Sequence, residues 1–141
     1  MKNKLLTITL ILLVTITLVG ALALIVLLKF NDKDEVKEPS IDEVIEASVD
    51  IPELTTNLMS GDYIRISFKV QTDSKKAKEE LEKRDFQVNN IIIEELSEMK
   101  SDQLQGKEGK QQLETTIMEK ANSLMQEGKV EKVYITSYMI Q

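Results

Sequence analysis

The sequence predicts an α+β domain attached to one membrane-spanning helix. An apolar run without charged residues occupies Leu5 to Leu28, and the patterns after it are ordered as two strands, a helical region and a last strand. That order favours a small antiparallel three-stranded sheet with two or three amphipathic helices on one face. We therefore expect a cytoplasmic tip at 1–4, a transmembrane helix at 5–28, an acidic linker at 29–50 and an α+β domain at 51–141.

The run from Leu5 to Leu28 is long enough to cross a bilayer. As a helix it would measure about 36 Å at about 1.5 Å per residue, against a hydrocarbon core of about 30 Å. A cleaved secretory signal is the alternative, because the leading residues are basic and Ala21–Ala23 has a small-x-small pattern. Since the apolar run continues past that point, we expect a retained anchor in contact with membrane lipid.

Three small or hydroxyl-bearing residues of this run, Thr9, Thr17 and Gly20, fall within one third of the helix circumference. They could pack against another helix, or the threonines could face lipid and bond their own backbone. Lysines both precede and follow the run, so charge does not determine its orientation. The short leading segment predicts a cytoplasmic N-terminus and a domain outside the cytoplasm.

The segment 29–50 is rich in acidic residues and contains one proline. This composition predicts a solvated tether that holds the domain away from the membrane. A short helix within Ser40–Ala47 is the alternative, because Ser40 followed three residues later by Glu43 has the form of a capping box.

The clearest strand signal is an alternation in which every second residue is apolar: Ile64, Ile66, Phe68 and Val70. It predicts a strand with one buried face and one solvated face. Leu54–Leu58 predicts a shorter strand before it, and Met59–Asp62 supplies the turn of a β-hairpin.

The chain closes on a third predicted strand with apolar residues on both faces. One face carries Val133, Ile135 and Met139, and the other carries Tyr134, Thr136 and Tyr138. Because neither face is fully polar, we expect a second covered surface, which a neighbouring subunit could cover.

Two helical patterns lie between the second and third strands. The first can be capped by Asp73 or Ser74, because a short side-chain oxygen accepts the free amide hydrogens of a first turn. Its apolar stripe extends to Met99. The second runs from Lys107 to Glu127, with Gly128 placed to end it.

Asp85 interrupts the apolar stripe of the first helical pattern. An ionised carboxylate that faces a core without a partner is too costly to keep. Either a distant cation such as Arg65 pairs with it, or the helix bends or restarts there and Asp85 caps the amides of Gln87 and Val88. We expect the cap or kink.

The sequence lacks the usual residues of an active site. It contains no His and no Cys and has a net charge of −6, which excludes zinc-type sites, Ser-His triads and thiol nucleophiles and gives a nucleic-acid partner no electrostatic support. The adjacent carboxylates at 79–80 and 94–95 are expected to be solvated helix faces rather than acid–base pairs. We expect no enzyme activity, cofactor, metal or small-molecule substrate.

Taken together, the segments resemble the family of the flagellar basal-body-associated protein FliL over essentially the whole chain. The most specific residues are Asn57–Leu58, Leu104, Gly109–Lys110, Leu113, Gly128–Val130, Val133–Thr136 and Ile140–Gln141. Ile41–Val49 and Arg84–Val88 are similar to Gram-positive relatives and indicate a Bacillus-like member. Many members carry an Arg-Asp pair where this chain has Asn89–Asn90, so no role of that pair is carried over.

The resemblance implies a single-pass protein of the cell membrane at the flagellar basal body. Its exterior domain would be similar to stomatin-type domains and would form a homo-oligomeric ring around stator proteins, which it would stabilise or activate during swimming and swarming. Because aromatic residues favour interfaces, Tyr134, Tyr138 and Ile140 are expected to contact another copy or a partner. A general membrane scaffold or export-associated chaperone is the alternative function.

Overall fold

The computed structural model describes residues 2–31 and 37–141, and the chain divides into Met1–Glu38 and Pro39–Gln141. Helix α1, Lys2–Asn31, belongs to the first unit. The second contains α2 (Ile41–Glu46), β1 (Ser48–Asn57), β2 (Tyr63–Thr72), α3 (Lys75–Lys83), α4 (Asp85–Ser97), a 3-10 turn (Ser101–Leu104), α5 (Lys107–Leu124) and β3 (Val130–Ile140). The predicted α+β class and apolar N-terminal helix are confirmed.

The sheet has three antiparallel strands in the order β1-β2-β3, as predicted. Strand β2 is central, and its inward side chains are at most 1% exposed: Ile64, Ile66, Phe68 and Val70. Helices α3, α4 and α5 cover this face and bury Leu81, Ile92 and Ile117 against it. The polar residues of β2 lie on the opposite face, which we call the open face.

Strand β1 is longer than predicted, because it begins at Ser48 and passes through Pro52. Proline lacks a backbone N–H, which an edge strand tolerates at a bulge. The register shifts between Ile51 and Leu54, where Pro52 lies. Because of Pro52, the sequence pattern did not show the first half of this strand. The compact unit also begins earlier than predicted, at Pro39 rather than at residue 51.

The alternative helix within the acidic segment is present as α2. The Glu43 N–H donates to Ser40 Oγ at 3.3 Å, and the Ser40 N–H donates to Glu43 Oε2 at 2.7 Å. This backbone hydrogen bond from Ser40 is the main reason that the pKa of Glu43 is lowered. Because the Thr72 N–H also donates to the Ala47 carbonyl at 3.0 Å, the tether interpretation is wrong for 41–50. Residues 32–36 of that segment lie outside the described residues.

The alternation predicted for β3 is wrong in its second half. The register with β2 shifts between Ser67 and Phe68, which leaves Thr136 as an extra residue on β3. Beyond it, Tyr138 pairs with Ile66 and therefore faces the helices, whereas Met139 pairs with Arg65 on the open face.

Two glycines are required by close approach of the chain. A Cβ at Gly109 would overlap the carbonyl oxygen of Gln103, a residue of the 3-10 turn that precedes α5. Gly128 has φ +139° and lies in the turn to β3, since α5 ends at Leu124 and not at Glu127. A Cβ at Gly128 would lie 2.5 Å from Asp73 Oδ1.

Candidate functional site

Helix α1 is long enough and apolar enough to cross a membrane, and its side chains are exposed on all sides. The hydroxyl of Thr9 donates to the Leu5 carbonyl, and that of Thr17 to the Leu13 carbonyl, both at 2.7 Å. Space around Gly20 is open. The threonine hydroxyls are thus satisfied within the helix, as a side chain facing lipid requires.

The helical region breaks at Arg84, immediately before Asp85. The Arg84 N–H donates to the carbonyls of Glu80 and Leu81, while its own carbonyl accepts the N–H groups of Gln87 and Val88. Arg84 therefore ends α3 and begins α4. Its guanidinium spans the break, because it donates to Glu80 Oε1 at 2.8 Å and to Gln87 Oε1 at 2.9 Å.

Asp85 is the first residue of α4 and is exposed. Its Oδ1 accepts the Phe86 N–H at 2.6 Å. The expected caps to Gln87 and Val88 are wrong, since Arg84 accepts both amides. The alternative partner Arg65 is also wrong, because it pairs with Met139 on the open face, away from the helices.

Glu80 joins α3 to the turn between α5 and β3. Its carboxylate accepts the Gln126 N–H at 2.9 Å and the Glu127 N–H at 2.6 Å, in addition to the Arg84 guanidinium. The amide hydrogen bond from Glu127 is the largest of the effects that lower the pKa of Glu80. Its side chain is only 11% exposed, so the solvated-face interpretation is wrong for this residue. In the sequence, the only local indication of this role was that Arg84 follows Glu80 by four residues, the spacing of an ion pair on one helix face.

A second carboxylate that was expected to be solvated joins two helices. Glu95 of α4 pairs with Lys120 of α5 and has a side chain that is 22% exposed. The hydrogen bond that Lys120 donates to the Glu95 carboxylate raises the pKa of Lys120. Both Glu80 and Glu95 therefore hold separate elements of the domain together.

An open groove of about 430 Å³ lies between β1 and helices α3 and α4, with Leu81 and Val88 among its lining residues. Its carboxylates include Asp50, which pairs with Lys69 at 3.0 Å, and Glu82, which pairs with Lys78 at 4.0 Å. Within residues 2–31 and 37–141, no cluster of His, Cys, Asp or Glu could hold a metal ion. Two of the carboxylates that line the groove are thus already ion-paired.

Side chains of α5 bond to the outer edge of β3 along its first half. Asn122 Oδ1 accepts the Val130 N–H at 2.7 Å, and Asn122 Nδ2 donates to the Val130 carbonyl at 2.9 Å. Glu114 Oε1 accepts the Ile135 N–H at 2.9 Å. The sequence analysis did not predict these hydrogen bonds, because each joins a side chain of a helix to the backbone of a different element, the strand β3. They prevent another strand from pairing there.

The second half of that edge has no such cover. Tyr63 and Gln141 exchange two hydrogen bonds of 2.9 Å and 2.8 Å. Since bonded and non-bonded pairs alternate in an antiparallel ladder, the backbone groups of Tyr138 and Ile140 point outward, away from β2. Among residues 37–141, no side chain bonds to these groups, and Tyr138 is 42% exposed. Residues 138–140 therefore form an open sheet edge.

The three residues expected at an interface are divided between two surfaces. Tyr138 and Ile140 share the open edge, and the ammonium group of Lys110 lies 4.2 Å from the centre of the Tyr138 ring. Tyr134 lies on the open face, half-buried, with its hydroxyl 3.0 Å from Gln71 Oε1.

Comparison with known proteins matches residues 48–141 to the model of the family described as flagellar basal body-associated protein FliL. The flagellar protein FliL of Bacillus subtilis (strain 168) is 51% identical over 122 residues, which are 86% of each chain. That of Aquifex aeolicus (strain VF5) is 30% identical over 79 residues, 56% of this chain and 49% of its own. The family model covers both outer strands, their turns and the helices between them. By these matches, the chain belongs to the FliL family of flagellar basal body-associated proteins.

Proposed function

We propose that the chain is a non-enzymatic accessory protein of the flagellar motor that surrounds the stator and stabilises or activates it, with a domain similar to stomatin-type domains. The single observation that carries this proposal is family membership over residues 48–141, which contain the whole sheet with α3, α4 and α5. Three structural features support the proposal. These are the apolar helix α1, the compact unit Pro39–Gln141 and the open sheet edge at residues 138–140.

In this proposal α1 anchors the chain in the cell membrane, with the N-terminus in the cytoplasm. The compact unit then lies outside, where Tyr138 and Ile140 of the open edge bind another copy or a stator protein. Two carboxylate links keep that unit rigid: Glu80 joins α3 to the last turn, and Glu95 joins α4 to Lys120. A rigid domain on a membrane anchor suits a role in positioning partners.

Orientation can be tested directly, because the chain has no Cys. A single cysteine at exposed Glu131 should react with a membrane-impermeant maleimide in intact cells. A cysteine at Lys4, in the first turn of α1, should react only after permeabilisation. The reverse pattern would place the domain in the cytoplasm and contradict the proposal.

The functional test is deletion of the gene in a motile strain. We expect assembled filaments with reduced swimming, reduced swarming and earlier stalling in viscous medium, and restoration by the full chain but not by a chain without residues 2–31. Normal motility under viscous load would contradict a stator role. A secretion defect with normal rotation would favour the export-associated alternative.

A further inference from the structure

Asp85 interrupts the apolar stripe of the helical region, and the two roles expected for it are wrong. Among residues 37–141, its carboxylate accepts only the Phe86 N–H and takes part in no ion pair. Asp85 is exposed and lines the open groove between β1 and helices α3 and α4. Its carboxylate can therefore bind a group that enters this groove.

The groove has an apolar floor. On the β1 side it is lined by half-buried Val49 and by the exposed ring of Pro52. On the helix side it is lined by Leu81 of α3 and Val88 of α4. Its volume of about 430 Å³ lies within the range of ligand clefts, about 300–1,000 Å³. Because the groove is open and does not enclose a small molecule, it suits a side chain that is held in place by its own chain.

The charged residues that line the groove are mainly acidic. Three carboxylates and one ammonium group give a net charge of −2: Asp50, Glu82, Asp85 and Lys78. Asp50 is already paired with Lys69 at 3.0 Å, and Lys78 lies 4.0 Å from Glu82, at the limit of an ion pair. The groove is therefore complementary to a cation, and Asp85 is the carboxylate that such a cation meets first.

An apolar floor beside an exposed carboxylate suits an amphipathic cation. Arginine buries its aliphatic stem along apolar surface, and its planar guanidinium forms two parallel hydrogen bonds with a carboxylate. A second copy of this chain is a poor source of that arginine, because the sequence contains only Arg65 and Arg84. The Arg84 guanidinium is bound to Glu80 and Gln87, and Arg65 lies on the central strand of the open face.

The geometry points to an arginine of a different protein as the occupant of the groove. Its stem packs against Val49, Leu81 and Val88, and its guanidinium binds Asp85. This inference rests on the proposed function in that it specifies the chemistry that a partner presents to the domain. The negative charge of the groove also attracts a basic partner segment during encounter.

Asp85→Asn separates binding from folding, because Asp85 is exposed and its carboxylate bonds only to the next residue. The matched control is Asp42→Asn, which makes the same change at an exposed residue in the first turn of α2, outside the groove. A diazirine-bearing amino acid at Asn89, a half-buried residue that lines the groove, captures the occupant on irradiation of motile cells that make the full chain.

We expect a cross-linked peptide of another protein that contains an arginine near the site of attachment. Asp85→Asn should lower the cross-linking yield about two- to fivefold, and Asp42→Asn should leave it unchanged. Asp85→Arg, or replacement of the captured arginine by aspartate, should each lower the yield. The two changes together should restore it, which a general effect on folding would not do.

A captured peptide without arginine, or a yield that Asp85→Asn leaves unchanged, would overturn the inference. Cross-links only to other copies of this chain would overturn it in favour of an interface between copies. No capture, together with a motility defect on deletion of the gene, would remove the groove as a binding site and keep the flagellar role. An arginine-bearing partner captured in cells whose motility does not depend on the chain would keep the groove and overturn the role.

Discussion

Asn122 provides the sharpest test of how α5 covers the sheet edge. Its side chain makes two hydrogen bonds, of 2.7 Å and 2.9 Å, to the backbone of Val130, a residue that is only 2% exposed. Each bond contributes about 0.5–1.5 kcal/mol, and water reaches the buried groups poorly once the amide is removed, so their loss should cost about 2–3 kcal/mol. Alanine regains about 0.5 kcal/mol of helix propensity. We expect Asn122→Ala to lower the free energy of unfolding by about 1.5–2.5 kcal/mol.

The matched control is Asn90→Ala, which makes the same chemical change at an exposed helical position. Among residues 37–141, the Asn90 side chain bonds only to Glu94, at 3.0 Å. It should be neutral or slightly stabilising. Urea unfolding of the full chain in detergent micelles, followed by circular dichroism, measures both variants. Asn122→Asp keeps the acceptor but places a carboxylate against the Val130 carbonyl, so it should be at least as unstable as Asn122→Ala at neutral pH. Equal stability of the two alanine variants would refute the reasoning.

Three further predictions concern residues at the ends of the helices or in contact with the turns between them. Because the folded-state pKa of Glu80 is lowered, its contribution to stability is complete above the ordinary value of 4.5 and is lost as the pH falls through the folded-state pKa. Glu80→Gln should thus be less stable than the native chain at pH 7, with a gap that narrows in acid-unfolding curves; a constant gap would contradict this. Gly109→Ala should cost about 1–3 kcal/mol in thermal unfolding, because its Cβ would overlap the Gln103 carbonyl oxygen, and an unchanged melting temperature would count against that contact. Asp85→Ala and Asp85→Asn should each cost less than about 1 kcal/mol, since the side chain is exposed at the start of a helix, whereas a loss above about 3 kcal/mol in both would indicate a buried ion pair.

Much of the fold was predictable because its signals are periodic and local. Alternation in β2 identified a half-buried strand, and helical spacing identified the apolar faces of α3 to α5. The short α2 was recognisable from its capping box, although the acidic composition favoured a tether. These patterns depend only on neighbours within a few residues, which the sequence displays directly.

The missed features depend on contacts between distant segments. Pro52 looked like a boundary, yet an edge strand tolerates it, and edge position follows from the strand order. Thr136 became an extra residue only through its register with β2. Glu80 and Asn122 looked like surface residues because the amides they bond lie in a turn and a strand formed by later parts of the chain. The open edge at residues 138–140 could likewise not be predicted, because it is defined by the absence of the α5 hydrogen bonds that cover the first half of β3.

The most direct test of the account is affinity capture of the full chain from membranes of motile cells, with mass measurement of the intact assembly. The account predicts several copies of this chain together with flagellar stator proteins. A single copy, or an assembly containing secretion proteins and no stator protein, would contradict it.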